Sequence, residues 1–120
     1  MANNENSNEN SERKFCLRQM GFERRLNKEF YSMLQNQDLV DVCLSCEGVG
    51  VKLHRLILSV NSIYFKNLFA SITNPWQYPI VILKDIPVDD LQAMIEFMYK
   101  GEVIVNESNL ESLIKSSEAL

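Results

Sequence analysis

The chain has 120 residues, enough for one domain with a core that buries roughly two-thirds of its unfolded surface. With 46% hydrophobic and 23% charged residues it has the make-up of a globular domain rather than a disordered chain. The net charge of −4 supplies no basic field for phosphate backbones, so direct nucleic-acid contact is disfavoured. No apolar run approaches the ~20 residues of a membrane span, and the polar start lacks the apolar region of a secretory signal. Three cysteines without such a signal are expected to be reduced thiols in an intracellular compartment.

The opening MANNENSNENSE holds five asparagines and no large apolar residue after Met1, so residues 1–13 are expected to be a disordered polar tail. In KFCLR, Phe15 and Leu17 point one way and Cys16 and Arg18 the other, a short strand pattern. GFERRLNKEFYSMLQNQ places Phe22, Leu26, Phe30, Met33 and Leu34 on one helical stripe, opposite Arg24, Arg25 and Lys28. LVDVCLSC is rich in β-branched residues, and EGVG turns it into VKLH, which predicts a hairpin. RLILSVNSIYFKNLFAS is apolar at helical spacing with a break at SVNS, predicting two short helices with Ser62 as cap of the second.

TNPWQYP is a proline-marked loop, and IVIL, a nearly continuous apolar run, is expected to be an interior strand. VDDLQAMIEFMYK is a helix with Asp89 and Asp90 in its first turn, Lys100 near its end and Gly101 as its stop. EVIV is expected to be a short strand. ESNLESLIKSSEAL starts a last helix that reaches Leu120 without a stop signal, as a truncated helix would. The order is that of an α+β domain, a small β-sheet flanked by a cluster of short helices, over residues 14–120.

Residue types suited to chemistry occur between Leu39 and Phe65, each with a plainer reading. Cys43 and Cys46 form a Cys-x-x-Cys, but a zinc site needs about four ligands and only Cys16 and His54 are spare. Residues three apart on a strand also face opposite sides of the sheet, so core or half-buried thiols are the expectation and no metal is assigned. Asp41, His54 and Ser59 could be drawn as a hydrolase triad, yet no G-x-S-x-G elbow accompanies them. The four glycines are scattered, so no phosphate-binding loop exists. No enzyme and no cofactor are expected.

The first helix is more informative. Its apolar stripe, joined to the rest by a polar NQD link, either packs on its own domain or is buried against a second copy or a partner. A lone strand such as KFCLR must find a sheet edge, and EVIV offers one across a dimer.

LVDV, KLHRLILSVNSIYFKNLF, NPWQYPIVILKDIP, FMYKGEVIV and LIKSSEAL, in that order, make the chain resemble a BTB/POZ domain of the tramtrack-type group of insect BTB proteins. The resemblance spans about Phe15 to Leu120. It implies a BTB/POZ fold with an N-terminal strand and helix extension, and a protein–protein interaction module that homodimerises, with a hexamer or other multimer as a further state. Phe15 and Leu17 would lie in an exchanged strand pairing with Val103 to Val105 of the other chain. Phe22, Leu26, Phe30 and Leu34 would form the helical part of the dimer interface. Asp41 and Arg55 would line a charged pocket there, against the plainer reading of a capping aspartate and a solvated arginine.

The resemblance further implies a nuclear transcription- or chromatin-associated protein whose partners are itself, other BTB proteins and co-regulators, with no direct nucleic-acid or membrane contact by this domain. The alternative is a substrate adaptor for a cullin ubiquitin ligase. Such adaptors often carry a hydrophobic-x-Glu motif after the third conserved helix, where KNLFASITN has no glutamate. Gln19 stands where the group's Phe-Cys-Leu-Arg-Trp-Asn motif has tryptophan, a change that bears on assemblies larger than the dimer. Asn61 and Ile63 replace the group's usual cysteine and proline.

Overall fold

The computed structural model describes residues 12–120; the tail expected at residues 1–13 lies outside them up to residue 11. Helix α1 (Phe22–Gln35) comes first, followed by strands β1 (Val42–Cys46) and β2 (Val49–Leu53). Helices α2 (Arg55–Asn61) and α3 (Ile63–Ala70), strand β3 (Ile80–Leu83), α4 (Val88–Lys100) and α5 (Glu107–Glu118) complete the order. The expected α+β architecture is thus present: among the described residues, five helices surround a three-stranded mixed sheet.

β1 is the centre of the sheet, antiparallel to β2 and parallel to β3. The hairpin closes through Glu47 and Gly48, both with positive φ (49° and 80°), as a two-residue turn matched to strand twist requires. Val42, Leu44 and Cys46 alternate inward and are fully or almost fully buried. Against them lie Leu53, Ile57, Leu58 and Phe65, and then Leu91, Met94, Ile95 and Tyr99 of α4. Burying each such Leu, Ile or Phe contributes about 1.5–3 kcal/mol relative to exposure.

The break between α2 and α3 has a definite cause. Ser62 is extended (φ −144°, ψ 122°), and its hydroxyl accepts from the Phe65 N–H at 3.2 Å, capping α3 as its sequence suggested. The same hydroxyl donates to the Leu120 carbonyl at 2.6 Å, holding the end of α5 against the helix pair. Gly101 stops α4 in the left-handed region (φ 85°), donating to the Phe97 carbonyl at 2.8 Å.

Three expected strand features differ. IVIL is an edge strand rather than an interior one: β1 took the centre, and Ile80 and Ile82 remain about two-thirds exposed. KFCLR and EVIV, both expected to be strands, form no ladder among the described residues. The N-terminal extension is therefore a helix preceded by an arm outside the sheet.

Candidate functional site

The arm and α1 present the surface that the fold does not consume. Phe15 is 76% exposed and Leu17 93% exposed, and among the described residues no backbone hydrogen bond is formed by residues 14–18. The Arg13 guanidinium lies 5.7 Å from the centre of the Phe15 ring. On α1 the apolar stripe is divided. Phe30, Tyr31 and Leu34 pack against the core of their own chain, Leu26 is half-buried, and Phe22 is exposed. The Lys100 ammonium, 4.2 Å from the Tyr31 ring centre and 3.1 Å from Glu96, fastens α1 to α4. Its hydrogen bond to Glu96 raises the Lys100 pKa.

Val103 and Val105 are half-buried, while Glu102 and Ile104 are exposed, Ile104 almost fully at 94%. That is strand-like alternation without a ladder, since residues 103–105 also form no backbone hydrogen bond among the described residues. The two valines line an apolar cleft of about 280 Å³ with Phe97, Leu110, Leu113 and Ile114. They also line a more polar one of about 260 Å³ with Asp89 and Glu96.

Asp41 and Arg55 meet. Asp41 Oδ1 accepts from the Arg55 backbone N–H at 2.7 Å, and Oδ2 from Arg55 Nε at 3.2 Å. The first bond serves the start of α2, where His54, at the cap position, offers no side-chain acceptor. Asp41 is thus both a helix cap and part of a pocket wall. A cavity of about 200 Å³ opens here, lined by Phe30, Met33, Leu39, Asp41, His54, Leu56 and Ile57. Its walls are mostly apolar, with Leu39 and Leu56 standing out into solvent.

The triad residues do not assemble into a relay. His54 Nδ1 lies 2.8 Å from the Tyr99 hydroxyl and Nε2 lies 2.6 Å from the Asp38 carbonyl, while Asp41 is engaged by Arg55. Burial pushes the Tyr99 pKa up to about 12, opposed by the bond from the His54 N–H and helped by the nearby Asp41 charge. Cys46 is buried, its thiol donating to the Ile86 carbonyl at 2.7 Å and raised in pKa by desolvation and by Glu47. Cys43, half-buried, lies on the other face of the sheet, and Cys16 is exposed on the arm. Among the described residues no three of His, Cys, Asp or Glu gather to hold a metal, and no helix is long and apolar enough to cross a membrane.

Sequence reasoning missed two polar anchors. Asp90, read as a first-turn acid, is buried and accepts from Ser112 Oγ at 2.6 Å and Ser116 Oγ at 2.7 Å. The signal was two serines four apart on one face of α5. The Tyr99–His54 contact spans 45 positions, and no local pattern announces it.

Comparison with known proteins agrees with this architecture. A family model described as BTB/POZ domain matches residues 30–120. Protein bric-a-brac 2 of Drosophila melanogaster is 44% identical over 106 residues, covering 88% of this chain and 10% of that protein. Protein tramtrack, alpha isoform, of the same organism is 39% identical over 107 residues, covering 89% and 13%. Longitudinals lacking protein-like, also from Drosophila melanogaster, is 38% identical over 110 residues, covering 92% of this chain and 85% of the relative. The chain therefore spans about a tenth of the length of the long relatives and most of the short one. By its sheet, its helices and these matches, the chain belongs to the BTB/POZ domain family, whose domains mediate protein–protein interaction.

Proposed function

We propose that this domain joins two copies of its protein by exchanging residues 14–18, and that the protein acts in the nucleus in transcription or chromatin. The observation that carries the dimer is the arm: Phe15 and Leu17 stand in solvent on a backbone with no ladder partner. Residues 103–105 are its counterpart, with two inward valines, an unsatisfied backbone and an apolar cleft beside them. The part of α1 that its own core does not take up, exposed Phe22 and half-buried Leu26, extends the same interface, and Phe30 and Leu34 reach it from the core side. The pocket carrying Asp41, whose carboxylate pairs with Arg55, adjoins α1 through Phe30 and Met33. The transcriptional role rests on family membership and on relatives such as bric-a-brac 2 and tramtrack. Dimerisation in such a protein would make any DNA-reading module elsewhere bivalent, and avidity would follow without new contacts.

Size-exclusion chromatography with light scattering tests this directly. The wild-type chain should run as a dimer or larger species across a wide concentration range. Leu17→Asp should run as a folded monomer, because Leu17 contributes almost nothing to its own chain's core. A wild-type monomer at high concentration would refute the proposal.

A further inference from the structure

We infer that the outer face of α1 docks an acidic peptide segment of a partner protein, with a carboxylate taken end-on by Arg25 and flanked by Arg24 and Lys28. This site goes beyond the exchanged dimer and does not need it. It begins with a turn at Met20 and Gly21 (φ 68° at Gly21), which sets Gln19 beside the first turns of α1. Gln19 Oε1 accepts from Arg25 Nε at 3.0 Å and from Arg25 Nη2. One edge of the guanidinium is thus held by a neutral side chain. The remaining fork, one N–H each from Nη1 and Nη2, matches the two oxygens of a carboxylate. Gln19 stands where the tramtrack-type group has tryptophan, so this clamp belongs to this chain rather than to the resemblance.

No acid of its own chain answers this face. Arg24, Arg25 and Lys28 are exposed and form no ion pair among the described residues, although Glu29 lies one turn beyond Arg25. By helical spacing the three cations share a face about 100° wide, opposite the stripe of Phe22, Leu26 and Phe30, and Glu23 and Glu29 fall outside it. Charge balance then decides the class of partner. Residues 13–28 hold six of the twelve cations and one of the sixteen acids, while elsewhere acids outnumber cations fifteen to six. A DNA duplex, charged along its whole length, would run off this patch onto a surface that repels it. A short acidic segment can end where the patch ends, as in the recognition of acidic motifs by arginine clusters.

Fluorescence anisotropy at low salt tests this on the whole chain, with three labelled probes: a short glutamate-rich peptide, its glutamine counterpart and a short DNA duplex. The glutamate peptide should bind at least roughly tenfold more tightly than the glutamine one. Arg25→Lys, which keeps the charge and loses the fork, should weaken it about tenfold. Gln19 is a positioning residue, acting through Arg25. Gln19→Leu should therefore weaken binding about threefold in the wild-type chain and leave it unchanged in Arg25→Lys. The Leu17→Asp chain should bind the peptide as wild type does, so failure of the dimer and failure of this site are told apart. Equal binding of the two peptides, or an Arg25→Lys chain as tight as wild type, would overturn the carboxylate site. A duplex bound more tightly than the peptide, and lost in Arg25→Lys, would overturn the peptide partner and give the face to nucleic acid.

Discussion

Tyr99 is the residue on which several polar decisions converge. Its hydroxyl accepts from the His54 N–H at 3.0 Å and lies 2.8 Å from His54 Nδ1. The other ring nitrogen faces the Asp38 carbonyl, which can only accept, so Nε2 carries the proton and the phenol donates to Nδ1. Burial holds this phenol neutral to about pH 12, whereas in the unfolded chain it ionises near 10. Above pH 10 the unfolded state therefore binds fewer protons than the folded one, and stability falls as pH rises toward 12. In Tyr99→Phe this part of the alkaline loss should vanish, at a cost of about 1 kcal/mol at neutral pH for the unpaired His54 groups. Urea unfolding repeated from pH 8 to 12 checks both; an unchanged alkaline slope in the variant would place the titration elsewhere. His54 attracted notice in the sequence as the lone histidine, but its fixed tautomer depends on a tyrosine from another helix. Asp41 and Arg55 were legible as a pair only through the family resemblance. The backbone shows that the carboxylate does both things at once, capping α2 as the plainer reading had it and pairing with the Arg55 side chain.

At the scale of elements, helices with strong periodicity were readable and edges were not. α1 and α4 follow their apolar spacing, α4 ends at its Gly101 stop, α5 lies where a last helix was expected, and the α2–α3 break follows Ser62. β3 was misjudged because an apolar run signals burial on both sides only when neighbours exist on both sides. Sheet order is a property of the assembled chain, and Ile80 and Ile82 ended on an open face. The attachment of α5 was illegible for a related reason. Its two serines look like ordinary polar positions until Asp90 is placed beneath them. Asp90→Ala should loosen α5 selectively, since two hydroxyls lose a charged acceptor in a partly dry site, at a cost of about 1–3 kcal/mol. Hydrogen exchange should then show lost protection over Glu107–Glu118 while β1 amides keep theirs. Uniform loss across both would mean that α5 is not a separable unit and that Asp90 belongs to the global core.

At the scale of the molecule, half of the twelve cations fall between Arg13 and Lys28, so the segment that the core does not absorb is also the basic one. An arm that is apolar and basic by turns costs little in water alone and gains most where an apolar cleft adjoins a second one lined by acids, as at Val103 and Val105. If its burial is completed by a second copy, folding and association are linked, and stability depends on protein concentration. A tenfold dilution then withdraws about 1.4 kcal/mol per dimer, which for two domains of this size lowers Tm by about 3 °C. Scanning calorimetry of the wild-type chain over a hundredfold concentration range should therefore give a Tm that climbs with concentration. The Leu17→Asp chain should show a lower Tm that stays constant, because Leu17 makes its contact only in the dimer. A wild-type Tm independent of concentration would mean that the single chain carries all its own stability, and that the arm serves some partner other than itself.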